Sequence, residues 1–231
     1  MELNGARTLV VGASGVLGGA LTRAFADAGA RLVVTSRDPA GLGDVADLVE
    51  ESLALDLLDA TAAREVVRRT ADRLGGLDLV VVASGVAGFG TVDQTPDDVA
   101  EELFAVNALG PMALLSEAVP TVRDGGALVA VSAILADAPM AGMAAYSASK
   151  AALAAWLTAV RREVRRRKVA VLDVRPPHME TGLADRALHG TAPRLPRGHD
   201  VDPFVALVVE GIRGDASELV WDQGTGDLVL R

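Results

Sequence analysis

The stretch Thr8-Leu9-Val10-Val11-Gly12-Ala13-Ser14-Gly15-Val16-Leu17-Gly18-Gly19 decides the fold. Its first four residues are apolar or β-branched, as in a short strand buried on both faces. Glycines then recur every third residue, and Ala20-Leu21-Thr22-Arg23-Ala24-Phe25-Ala26 reads on as a helix. Strand, glycine turn and helix in that order suit a dinucleotide-binding loop. Glycines let the backbone approach a pyrophosphate, and the helix start offers it unpaired N–H groups. The spacing is G-x-x-G-x-x-G, where G-x-G-x-x-G is commoner.

Outward from this loop, strands and helices alternate. Residues 31–35 form a second strand, followed by Ser36 and Arg37. A free ribose 2′-OH at such a strand end is usually held by Asp or Glu, whereas a 2′-phosphate favours Arg. The nearest acid, Asp38, follows the Arg, so NADP(H) is favoured over NAD(H). A short helix is expected over 39–46 and a third strand over 52–56, ending in Asp56. An amphipathic helix follows over 60–74, and a wholly apolar fourth strand over 77–83 runs into Ser84-Gly85. Helices are expected from Pro96 and over 104–119, the latter carrying Asn107. A fifth strand covers 127–132, a sixth 169–174, and a seventh 218–221, with a last helix over 203–212. The Pro- and Gly-rich segment 175–200 is long for a connection and reads as a mobile substrate loop. The alternation predicts one domain over 1–231: α/β, a Rossmann-like doubly wound parallel sheet of about seven strands with helices on both faces.

Composition narrows the function. Half of the 231 residues are hydrophobic, enough for a sizeable core, while a net charge of −9 disfavours nucleic acid and anionic membranes. Absence of Cys excludes disulfide and thiolate chemistry, and the three His show no metal-ligand spacing. No leader and no bilayer-length apolar run is evident, so a soluble, cytoplasmic protein is expected.

The only tyrosine, Tyr146, stands four residues before Lys150, one of only two lysines. The Ala-rich run after it favours helix, and four residues along a helix returns to the same face. An ammonium beside a phenol favours the phenolate, making a proton donor and acceptor usable near neutral pH. Lowering the phenol by ~3 units takes about 4 kcal/mol. The basic cluster at 161–167 reads as a solvated helix end that complements the helix dipole.

In order, the glycine turn, Asn107, a Ser ending strand five and Tyr-x-x-x-Lys resemble the short-chain dehydrogenase/reductase family, in register over 8–181. The resemblance implies Tyr146 as general acid/base and Lys150 on the nicotinamide ribose, lowering the Tyr pKa. It puts Asn107 at a water in a proton relay. It also implies a nucleotide site of Gly12, Ser14, Gly15, Leu17 and Gly18 at the pyrophosphate, with Ser36 and Arg37 beyond them. Asp56 and Leu57 would lie at the adenine. Ser84, Gly85 and Thr181 complete the set, Thr181 through the segment Pro176-Pro177-His178-Met179-Glu180-Thr181. Three features depart from the family: the glycine spacing, Val82-Ala83-Ser84-Gly85 in place of N-N-A-G, and Ala133 where its catalytic Ser commonly stands. Ser132 lies one residue earlier. It is expected to reach the Tyr146 phenol if the chain has already left the sheet there.

The activity implied is hydride transfer between NADP(H) and a carbonyl or alcohol substrate. Met140, Met143, Met179 and Leu183 would wall an apolar pocket with His178 at its rim. A cofactor-binding sensor or interaction protein on the same fold is the alternative, and a sugar-nucleotide epimerase of the extended branch a distant third. The apolar surroundings of 151–157 and of Ala113, Leu114 and Leu115 predict a homodimer or homotetramer.

Overall fold

The apolar runs read as strands become the centre of one sheet in a computed structural model, which describes residues 1–194, 197–222 and 224–231. Its strands are β1 (Arg7–Val11), β2 (Arg31–Ser36), β3 (Glu51–Ala54), β4 (Leu77–Val82), β5 (Val122–Val131), β6 (Ala170–Arg175), β7 (Glu218–Asp222) and β8 (Asp227–Leu230). They lie in the order β3-β2-β1-β4-β5-β6-β7-β8. Every pairing is parallel except β7 with β8. The eighth strand corrects the expected count of about seven. Asp222 Oδ1 accepts from Gly224 N at 2.8 Å and Thr225 N at 3.1 Å, which folds the last residues back along β7.

The described residues form the helices α1 (Val16–Asp27), α2 (Ala60–Leu74), α3 (Asp97–Phe104), α4 (Gly110–Thr121), α5 (Ala144–Val164) and α6 (Val201–Arg213). Side-chain alternation divides the core. Leu9, Val80 and Val82 pack with α2, α4 and α5, while Val10, Leu79 and Val81 pack with α1 and α6. Both faces are therefore covered, which explains why the strands read as continuous apolar runs.

One turn of π-helix, Ala105–Leu109, joins α3 to α4. The joined helix, Asp97–Thr121, is 25 residues long and apolar enough to cross a membrane by length and composition, contrary to the sequence expectation. Half of its most apolar window is buried within the fold, as befits a core helix. Leu114 and Leu115 are among these buried residues, packed against α2, so they are not free to form a surface between subunits.

At the edge where the strands begin, Asp78 ties three of them together. Its carboxylate accepts from Arg7 N and Arg7 Nη2, both at 2.8 Å, and pairs with Arg123 of β5. At the opposite edge the strand order reverses between β1 and β4. A cleft opens there, as is usual outside the carboxyl ends of such strands.

Candidate active site

The glycine turn forms one end of that cleft. Gly12 adopts φ +90°, and a Cβ there would overlap Ser84 Oγ. A Cβ on Gly18 would strike the Gly12 carbonyl oxygen. These two positions thus require glycine for the tight packing of turn, β4 and α1. Gly15 precedes the first turn of α1 and supplies no side-chain cap, leaving the first N–H groups of the helix facing the cleft.

At the end of β2, Ser36 is 3% exposed and lines the cleft, and its hydroxyl has no partner among the described residues. A buried, unpaired hydroxyl costs free energy unless something bonds it. Arg37 lines the cleft beside it and makes no ion pair among the described residues. Asp38 is turned away: its Oδ1 accepts from Ala40 N at 3.0 Å and caps the 3₁₀ segment Pro39–Leu48. Asp56 caps its own turn through Leu58 N at 3.0 Å, and Leu57 lines the cleft next to it.

Tyr146 and Lys150 occupy successive turns at the start of α5. They are 7% and 3% exposed and face the same cleft, whose volume is about 420 Å³. The Lys150 ammonium donates to Val131 O at 3.0 Å. Burial pushes the Tyr146 phenol up to about 12. This is opposite to the lowering expected from Lys150, because loss of water dominates at the phenol. Burial also brings Lys150 down to about 8, with Asp173 acting to raise it.

Asn107 is fully buried in the π turn. Its Oδ1 accepts from Val86 N at 3.0 Å, while its Nδ2 donates to Val86 O at 2.9 Å and Ser149 Oγ at 3.1 Å. Ser149 Oγ in turn donates to Tyr146 O at 2.7 Å. The side chain thereby braces the loop after β4 against α5. Gly85 sits against this brace, where an added Cβ would come within 3.1 Å of Lys150 Nζ.

Ser132 does not join Tyr146. Sheet pairing continues past the end of β5, with Ser132 N donating to Val174 O at 2.8 Å and Ile134 N to Pro176 O at 3.0 Å. Ser132 lines the cleft, but its hydroxyl donates to buried Asp173 Oδ1 at 2.5 Å. Ala133 instead shares an apolar cluster with Tyr146, Ala87, Phe89, Leu103 and Met143. The expected loop exit at Ser132 is thus corrected: the chain leaves the sheet later.

Met140, Met143, Met179, Leu183, His178 and Thr181 all line the cleft, as do Ser14, Leu17, Ser84 and Gly85. The 175–200 segment contributes a 3₁₀ turn, Ala184–Arg186, and Arg186 Nη2 donates to Thr181 O at 3.2 Å. Leu195 and Pro196 of that loop lie outside the described residues. Phe89, Leu135 and Val106 also line the cleft but were not singled out from the sequence. Val106 carried a signal, since it directly precedes Asn107. Phe89 lies in a loop and Leu135 in the short 3₁₀ turn Ile134–Ala136, neither long enough to show periodicity.

A family model for short chain dehydrogenases matches residues 6–191. An uncharacterised oxidoreductase of Myxococcus xanthus is 33% identical over 93% of this chain and 87% of the relative. The cyclic-di-GMP-binding biofilm dispersal mediator of Escherichia coli is 31% identical over 77% of this chain and 74% of its own. Among solved structures, a short chain dehydrogenase from Burkholderia cenocepacia in complex with NADP superposes with a TM-score of 0.81. It covers 92% of each chain at 28% identity. The chain belongs to the short-chain dehydrogenase/reductase family of NAD(P)-dependent oxidoreductases that act on CH–OH and C=O groups.

Proposed function

We propose that the protein is an NADP(H)-dependent oxidoreductase that interconverts a carbonyl and an alcohol, with Tyr146 as general acid/base. The observation that carries this reading is the buried Tyr146–Lys150 pair, at one end of a cleft whose other end is Ser36 and Arg37. The residues fit the nucleotide. Glycine is sterically required at Gly12 and Gly18, the Ser36 hydroxyl is unpaired, and Asp38 is withdrawn into a cap. Gly12, Ser14, Gly15, Leu17 and Gly18 would hold the pyrophosphate, Ser36 and Arg37 the 2′-phosphate, and Asp56 and Leu57 the adenine. Ser84, Gly85, Lys150 and Thr181 would hold the nicotinamide half. Bound there, the nucleotide supplies or accepts hydride.

Tyr146 then exchanges the proton with the substrate oxygen. A phenol pushed up to about 12 is protonated at neutral pH, which suits reduction of a carbonyl. The Lys150 ammonium stabilises the phenolate left behind, and Asn107 holds the loop that carries Gly85 against both. Met140, Met143, Met179 and Leu183, with His178 at the rim, favour an apolar substrate held under the 175–200 loop. We further propose a homodimer or homotetramer, which light scattering at micromolar concentration should detect.

The cofactor assignment is tested by titrating NADPH and NADH against the wild type and Arg37→Ala. The wild type should prefer NADPH, and Arg37→Ala should lose about 1.5–3 kcal/mol of NADPH binding with little change for NADH. Equal wild-type affinities would falsify the 2′-phosphate role. A second reading, a cofactor-binding sensor, draws on Ala133 facing Tyr146 and on the relative named for cyclic-di-GMP binding. It predicts nucleotide binding without turnover.

A further inference from the structure

Behind the Tyr146–Lys150 pair lies a carboxylate that the proposed reaction does not use. Asp173 of β6 is 0% exposed, and it faces the same side of the sheet as Ser132, the side on which α5 packs. Lys150 enters that compartment from α5 and bonds Val131 O, one residue from Ser132. Ammonium and carboxylate are therefore buried together, and a buried charge is tolerated only when paired or well bonded.

We infer that Asp173, oriented by Ser132, is the positioning residue that keeps Lys150 an ammonium behind Tyr146. The inference rests on the catalytic reading of that pair. Three features support it. Ser132 Oγ fixes one carboxylate oxygen at 2.5 Å, and Arg175 Nε fixes the other at 2.7 Å. Arg175 is itself shared, donating to Asp137 at 2.7 Å and Glu218 at 3.2 Å, so its charge does not cancel that of Asp173 alone. Burial lowers Lys150, and Asp173 is the group that counters it.

The charged groups around this compartment are few. From β6 come Asp173 and Arg175, from β7 Glu218, and from the loop after β5 Asp137. On α5, Tyr146 is neutral at ordinary pH, and Arg161 turns toward Glu218 at 3.9 Å. Asn107 and the 83–90 loop add no charge. Without Asp173 the balance around Lys150 becomes more positive, and the ammonium should release its proton at lower pH. The sign is fixed: Asp173→Asn lowers the Lys150 midpoint, and the alkaline limb of the rate profile moves down with it.

Two lysines make this directly readable. Protein labelled with ¹³C at the lysine Cε gives two signals, and Lys168→Arg assigns them. In Asp173→Asn the Lys150 midpoint should fall by about one unit, while exposed Lys168 stays put. An unmoved Lys150 midpoint overturns the inference. Should Asp173→Asn fail to fold, ¹³C-carboxyl aspartate labelling of the wild type decides. One buried carboxyl should inflect at the Lys150 midpoint, and the absence of any such response overturns the inference equally. The catalytic reading fails separately. A shifted Lys150 in a protein whose Tyr146→Phe variant turns over normally would retire that reading and leave the electrostatic coupling of Asp173 to Lys150 standing.

Discussion

Asp78 and Asp173 are both buried in one sheet, yet they sit at opposite edges and their carboxyls are shifted in opposite directions. For Asp78, burial raises the carboxyl, but the side-chain and backbone bonds of Arg7, aided by Arg123, outweigh it and hold it at about 2. For Asp173, burial wins over Ser132 and Arg175, and the carboxyl is raised. The first lies where strands begin and has two arginines to itself. The second lies near where strands end, beside a buried lysine, with an arginine shared among three acids. A fully matched carboxylate fastens the scaffold, while an incompletely matched one leaves charge available to a neighbour.

The largest expected effect lies at the end that carries the chemistry. Tyr146→Phe should lower turnover about 10²- to 10⁴-fold, the usual worth of a general acid, without moving the melting temperature. If melting falls and turnover survives, the site end is scaffold as well, and the contrast with Asp78 disappears.

Next comes Asp78→Asn, which should cost about 2 kcal/mol of stability and leave turnover unchanged. Because the folded-state value is depressed, this stability is present above the usual value of 3.8 and is lost as pH falls toward about 2. Asp173 has the opposite sign: a raised carboxyl favours the folded state as pH falls. Denaturant melts of Asp78→Asn and Asp173→Asn at neutral pH should therefore show the larger loss for Asp78.

The smallest effect is expected at Ser132. Its hydroxyl serves Asp173, so Ser132→Ala should change turnover by no more than about fivefold, roughly 1 kcal/mol. A hundredfold loss would return Ser132 to the role of substrate-oxygen donor and contradict the observed bond.

Much of this was readable in the chain. The 60–74 helix matches α2, because an amphipathic stripe, an Asp59 cap and a Gly75 stop agree. The glycine turn and Tyr-x-x-x-Lys give the two ends of the cleft, because local spacing determines both. What escaped depends on pairing between distant strands. Ser132 was misread because its facing is set by β6, forty residues away, which keeps it in the ladder beyond β5. Asp173 looked like an ordinary strand residue, since nothing local marks a carboxylate as the partner of Ser132. The raised phenol was not legible either, because it comes from the burial of Tyr146, which sequence spacing does not report. The eighth strand was missed because four residues after a glycine-rich turn carry too little pattern.

The central claim is that Tyr146 and Lys150 carry out proton-coupled hydride transfer with NADPH. Rapid mixing of the wild type and saturating NADPH with a panel of apolar aldehydes and ketones tests it most directly, read at the reduced-nicotinamide absorbance. The account predicts that this absorbance decays with at least one carbonyl and that the decay is lost in Tyr146→Phe. Tight NADPH binding with a flat trace across the whole panel, identical in both proteins, would contradict it.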